Sequence, residues 1–217
     1  EALQAAPIEE QLGLRLASDP AKAAAAALAI AVSELPYPVT DAALDELAAG
    51  FADVYLRYTY RASPEESVWA TEEGLVRQAP MFDAREWYRR NNLVVADWAN
   101  RPDDHLVLEL RFLAHLMRAA KDNGGLVEAA KFLDEHLLRW MRKFAVRLVQ
   151  AGASNWYAAL ALLTASYLDE LRDRLAEATG YARPVEPPPA KRAKKKKLPA
   201  PDSVEERPYV PGVAPSW

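Results

Sequence analysis

An all-α fold is what this sequence predicts, and three observations carry it. Apolar residues recur at three- and four-residue spacing through most of the first 180 positions, no segment alternates convincingly at period two, and prolines and glycines fall between the periodic stretches. With 217 residues and 51% hydrophobic content, the chain is large enough for one real core. It reads as a single helical domain over 1–180 followed by a disordered Pro/Lys-rich tail over 181–217.

Taken in order, Glu1 to Leu16 reads as helical with a break at Pro7, and Ser18-Asp19-Pro20 reads as an N-cap opening a second helix through Ser33. Leu35-Pro36-Tyr37-Pro38 is a stop, because two prolines in three residues cannot continue a helix. Thr40-Asp41 opens another, whose face of Leu44, Leu47, Phe51, Val54 and Tyr55 is expected to be core. Ser63-Pro64-Glu65-Glu66-Ser67 is a turn and new cap before Val68 and Trp69, with helix expected through Gly74 to Gln78. Pro80 then interrupts, and Asp83 caps a helix containing Trp87, Tyr88, Leu93 and Val94 that leads toward Asn100.

Asn100 to Met117, reading NRPDDHLVLELRFLAHLM, is expected to be the central element. Pro102 is tolerated only in a first turn and Asp103-Asp104 suits the positive end of a helix dipole, so the helix is expected to begin near Asn100 to Pro102. Two apolar rows, Leu106, Leu110, Leu113, Met117 and Leu108, Phe112, Leu116, predict burial on two sides. Asp104, His105 and Glu109 stand at its solvent mouth. After the turn Lys121 to Gly125, one long amphipathic helix spans Leu126 to Gln150, and a last helix capped by Ser154 carries Trp156, Leu160, Leu163, Tyr167, Leu171 and Leu175 up to Gly180.

The absence of cysteine rules out disulfides, thiolate metal sites and cysteine nucleophiles, and suits a reducing, cytoplasmic setting. The weakly polar run Ala23 to Val32 is too short to span a bilayer, so no stable membrane insertion is expected. Residues 181–217 carry a net charge of +4, which leaves −8 on residues 1–180. An acidic body disfavours nucleic acid and suits a cationic peptide. The tail reads as solvated, although Tyr209 to Trp217 has the composition of a short docking motif.

Catalytic and metal-binding motifs are not found: there is no HExxH, no GxxxxGK[ST] and no GxGxxG, and the three histidines lie far apart. The protein is therefore expected not to be an enzyme and to hold no metal. His115 reads as a helix-face residue and His136 as a solvated one. His105 keeps two readings: a hydrogen-bonded wall residue beside a capping aspartate, or a functional ring oriented by Glu109 at i+4 and by Asp103-Asp104, which would favour its protonated form.

Three blocks carry a resemblance. Pro102-Asp103-Asp104-His105-Leu106 with Glu109-Leu110 and Phe112-Leu113 resembles the E-P-x-D-H-L...E-L-x-F motif of the TorD/DmsD family of redox enzyme maturation chaperones. Tyr55-Leu56-Arg57-Tyr58 with Glu66-Ser67-Val68-Trp69, and Phe132-Leu133-Asp134-Glu135-His136-Leu137 with Trp140, resemble two further blocks in the same order, so the likeness runs from about Asp53 to Leu175. Asn100-Arg101 and Tyr58-Thr59-Tyr60 depart from the usual pattern.

The resemblance implies a TorD-like helical bundle acting as a cytoplasmic chaperone. Its partners would be the twin-arginine signal peptide and the apo catalytic subunit of a molybdoenzyme, and it would assist cofactor insertion while delaying export. Pro102, Asp103, Asp104, His105 and Glu109 would line the leader groove, with Tyr55, Arg57, Ser67 and Trp69 in or behind its wall. No cofactor of its own is implied, apart from contact with GTP or the molybdenum cofactor, and the state would be monomer or domain-swapped dimer. The alternatives are a helical scaffold or adaptor acting through its C-terminal tail, or a weak nucleotide-binding protein.

Overall fold

Helix caps written into the sequence set the start of the chain's path. A computed structural model describes residues 12–97 and 99–185. Of the helix expected over Glu1 to Leu16, residues 1–11 lie outside the described residues, as does the tail from 186 onward, Lys191 to Trp217 included; Leu12 to Leu16 form a turn and an irregular segment and no helix. Among the described residues there are eight α-helices and one π-helical turn. No strand occurs there, and the only β pairing is an isolated antiparallel bridge between Glu65 and His105. None of these helices is long and apolar enough to cross a membrane.

Helix α1 (Asp19–Ser33) starts as expected, with the Ser18 hydroxyl accepting the Ala21 N–H at 3.3 Å and Pro20 in the first turn. Its small residues Ala24 and Ala25, with Leu28 and Val32, pack on Ala159 and Leu163 of the last helix. Helix α2 (Asp41–Tyr55) is capped by Thr40.

The expected core face of α2 is corrected by the structure. Val54 is buried, but Leu44 is 53% and Phe51 46% exposed. The reason is a close approach on another side of the helix. The Tyr157 hydroxyl donates to the Leu47 carbonyl at 2.7 Å, and the Tyr157 ring lies over Gly50 so closely that a Cβ there would meet Cε2 at 2.9 Å. That turns the edge holding Ala43, Gly50 and Val54 inward.

Helix α3 (Glu66–Ala70) is short. The run expected through Gln78 does not form, because Thr71 is extended and Gly74 and Arg77 adopt positive φ of 63° and 60°. Pro80 sits in the first turn of α4 (Ala79–Arg90) instead of interrupting it, and the helix ends at Asn91, before Leu93 and Val94. Helix α5 (Leu106–Ala119) begins four residues beyond Pro102, with His105 as its N-cap. It buries Leu106, Phe112, Leu113 and Leu116 fully, whereas Leu108, Leu110 and Met117 are only partly covered.

The long helix expected from Leu126 to Gln150 is divided. Helix α6 (Asn123–Phe132) passes through a π-helical turn at Leu133–Leu137 into α7 (Leu138–Gln150). The wider turn shifts the helical register and puts Leu133, His136 and Leu137 all inside, with His136 1% exposed. His136 is therefore not the surface histidine that its acidic neighbours suggested. Phe132, Leu133, Leu137, Trp140 and Phe144 are all at 0% exposure, so α6–α7 forms the centre of the core and α5 one of its walls. Helix α8 (Asn155–Thr179) ends where Gly180 turns left-handed at φ 73°.

Candidate functional site

Two loops are joined by backbone hydrogen bonds at the head of α5. The Glu66 N–H donates to the Asp104 carbonyl at 3.0 Å and the Leu106 N–H donates to the Pro64 carbonyl at 2.8 Å. This pairing sets residues 102–106 against the start of α3 and fixes where each side chain points.

Asp104 does not cap its own helix. Its buried Oδ2 accepts the Ser67 N–H at 2.8 Å and the Ser67 hydroxyl at 2.5 Å, so it caps α3, a helix 37 residues earlier in the chain. Ser67 Oγ in turn accepts the Gln78 N–H at 3.1 Å. Burial pushes the Asp104 carboxyl up, against the pull of the two Ser67 bonds. Its neighbour Asp103, also buried, accepts Arg85 Nη2 at 2.7 Å and Nε at 3.2 Å, and its carbonyl accepts the Tyr88 hydroxyl. Pro102 is buried, and its carbonyl accepts the His105 N–H.

His105 is half-buried and has extended backbone geometry as the N-cap. Its Nδ1 accepts the Val107 N–H at 3.2 Å, which leaves Nε2 to carry the ring proton. Burial first, and Arg101 second, lower its pKa to about 4, so the ring is neutral at pH 7. The expected protonated imidazole oriented by Glu109 is not what forms. Residues i and i+4 share a face only when both are helical; His105 is the extended cap, and Glu109 points inward.

Beneath this loop lies a buried polar cluster. Glu66 is 0% exposed, with Oε2 at 2.6 Å from His136 Nδ1 and Oε1 accepting Arg139 Nη1 at 3.1 Å. Glu109, also at 0%, accepts the Trp140 indole N–H on Oε2 at 3.0 Å, while its Oε1 accepts no hydrogen bond. Burial, and then the facing Glu66 carboxylate, push the Glu109 carboxyl well above the usual range. The raised pKa favours the protonated form of Glu109 where it faces Glu66. Glu66, Glu109 and His136 also bring ligand atoms within 4.8 Å of one another, which makes them the residues able to hold a cation. Glu65 bonds Ser63 and Tyr58, and burial raises its pKa as well.

Ser67 therefore joins Pro102, Asp103, Asp104, His105 and Glu109 in one assembly. Trp69 and Tyr55 meet around another residue, Phe144. The Trp69 ring lies edge-on to Phe144 at 6.3 Å with its indole N–H on the Ser63 carbonyl, and Tyr55 lies 6.3 Å from the same ring. Arg57 is exposed and pairs with Asp53 at 3.4 Å, outside the cluster. The sequence reading missed Glu66, His136, Arg139 and Trp140 as partners. The available signal was that each of the three motif blocks carries an ionisable residue beside an aromatic or branched one, as buried polar networks require.

Residues 16–146, which contain the whole of this assembly, match the family described as "Nitrate reductase delta subunit". The chain belongs to this family, which includes the TorD proteins. It is similar to the chaperone protein TorD of Vibrio cholerae serotype O1 strain ATCC 39315, with 34% identity over 140 residues covering 61% of this chain and 63% of that protein. TorD of Vibrio vulnificus strain YJ016 is 31% identical over 129 residues, covering 55% and 60%. TorD of Shewanella pealeana is 29% identical over 147 residues, covering 64% and 65%. The chain thus spans a little under two thirds of the length of these TorD relatives. No solved structure gives a significant match.

Proposed function

We propose that this protein is a cytoplasmic chaperone that binds the twin-arginine signal peptide and the apo form of a molybdopterin oxidoreductase, assists insertion of the cofactor and delays export. The observation that carries this reading is the family match over residues 16–146, within which the stitched loop at Pro102 to Leu106 lies. The physical arrangement supports it. A neutral His105 with its proton on Nε2 offers a donor to a peptide carbonyl, and the partly buried Tyr55 and Trp69 offer their remaining aromatic surface to an apolar segment. Asp103, Asp104 and Glu109 are internally bonded, and their role is to hold the loop in place. The protein acts by binding, with no catalytic residue assigned.

The test is equilibrium binding of a synthetic twin-arginine leader from a molybdoenzyme precursor, measured by fluorescence anisotropy with the full chain. The native protein is expected to bind saturably, and His105→Ala, folded by circular dichroism, to bind about tenfold more weakly, as for loss of one central contact. Equal binding by folded His105→Ala would refute the assignment of His105.

A further inference from the structure

Helix α2 carries an apolar stripe that the described residues leave largely uncovered. Of its fifteen residues only Ala43 and Val54 are buried. At about 100° per residue, Leu44, Ala48, Phe51 and Tyr55 fall on one line, next to the inward edge of Ala43, Gly50 and Val54. From Leu44 to Tyr55 that line is about 16 Å long, or three helical turns. Leu44, Ala48 and Phe51 are exposed, and Tyr55 at the end of the line is partly buried against the core. Single exposed apolar residues are ordinary on a protein surface; three in helical register running into an aromatic core residue are not.

Charge says what kind of surface covers it. From Glu34 to Leu56 the chain has five carboxylates, Glu34, Asp41, Asp45, Glu46 and Asp53, and no lysine or arginine. Asp41 and Asp45 are exposed, and their helical positions place them along the outer border of the stripe. The carboxylates around the loop at Pro102 to Leu106, in contrast, are buried and engaged: Asp103 by Arg85, Asp104 by Ser67, Glu66 by His136 and Arg139, and Glu109 by the Trp140 indole. Arginines arriving from a partner need other acceptors, and α2 presents them beside an apolar track.

The stripe is also continuous with the candidate site. The Phe51 ring lies 4.9 Å from Tyr55, tilted at 37°, Tyr55 lies against Tyr157 and Phe144, and Phe144 meets Trp69. An unbroken aromatic chain therefore runs from the middle of α2 to the residue that follows Ser67 by two positions.

We propose that the outer face of α2 docks a cationic amphipathic helix, with its apolar side on Leu44, Phe51 and Tyr55 and its arginines against Asp41 and Asp45. The proposal rests on the function given above, in which that helix is the arginine-bearing apolar segment of the leader. It places arginine recognition on α2, away from the buried carboxylates of the loop at Pro102 to Leu106.

The experiment uses the full chain, the labelled leader and two double variants at exposed positions, whose fold is checked by circular dichroism and thermal melting. Leu44→Ser/Phe51→Ser is expected to weaken binding by about tenfold at all salt concentrations. Asp41→Asn/Asp45→Asn is expected to weaken it about fivefold at low salt and to flatten its salt dependence. A photo-crosslinker at position 51 is expected to label the apolar part of the leader. Unchanged affinity in both double variants while His105→Ala weakens binding overturns the α2 proposal and leaves the function standing. A leader that fails to bind the native chain overturns both.

Discussion

Replacing Glu109 separates the protonated carboxyl from an ionised one. Burial and the facing Glu66 raise the Glu109 pKa, so the folded state holds that proton to higher pH than an unfolded glutamate, which releases it above about pH 4.3. The contribution to stability is therefore complete below that pH and falls by about 1.4 kcal/mol per pH unit as pH rises toward the raised folded pKa. Glu109→Gln keeps an acceptor for the Trp140 indole and a neutral donor toward Glu66, so it is expected within about 1 kcal/mol of native at pH 5 and more stable than native at pH 8. Glu109→Ala removes the acceptor of a fully buried indole N–H and opens a cavity beside Trp140, costing about 3–5 kcal/mol. For a chain of this size that lowers Tm by roughly 6–20 °C. Urea denaturation from pH 5 to 8 reads all three proteins. If Glu109→Gln is as unstable as Glu109→Ala at every pH, Glu109 is ionised in the folded protein and the raised-pKa account is wrong.

Asp104→Ala leaves the buried Ser67 N–H without its acceptor and is expected to cost about 1–3 kcal/mol, seen as faster hydrogen exchange of the Ser67 and Gln78 amides than elsewhere in the core. His105 is expected to titrate near pH 4 with the Nε2–H tautomer above it, read from its imidazole ¹⁵N shifts; a pKa near 6.5 would remove the buried-cap account. Against the opposing effect of burial, the Ser18 and Ala17 N–H groups, Arg174 and the Ser18 hydroxyl hold Glu170 down to about 2. Its anchoring of residues 17–18 is present above the unfolded pKa of about 4.3 and lost as pH falls through the folded one, and Glu170→Gln is expected to expose the Ala17 and Ser18 amides to exchange at pH 7. Gly50→Ala drives a methyl into the Tyr157 ring and is expected to cost about 1–3 kcal/mol, measured by urea denaturation.

The parts of the fold legible in the sequence are those set by local chemistry. Ser18, Thr40 and Gly180 mark helix ends because a hydroxyl reaching an N–H three residues on, or a left-handed glycine, involves only neighbouring atoms. Pro80 and Pro102 show the limit of that reasoning. Both are compatible with a first turn, and only the packing of α3 against the loop decided that Pro80 opens a helix while Pro102 precedes one.

The candidate site was legible as a set of residue types and hidden as a set of partnerships. Asp104 followed by His105 looked like ionisable groups at a helix mouth, yet one caps a helix 37 residues upstream and the other is held neutral. Glu66, Glu109 and His136 are drawn from three elements, and a carboxylate meant for the interior is indistinguishable in sequence from one meant for water. The π-helical turn that turns His136 inward depends on register in the finished core.

By itself, then, the sequence determined an all-helical body, the helix ends at Ser18, Thr40, Ser154 and Gly180 but not those at Gln78, His105 and Asp122, its acidic charge and the motif order that marks the family, because periodicity, charge and short-range hydrogen bonding are properties of neighbours. Tertiary structure decided which face of α2 is covered, which carboxyls are charged and which buried donors meet which acceptors. Those outcomes depend on desolvation and on contacts between residues tens of positions apart, and neither exists until the chain has folded.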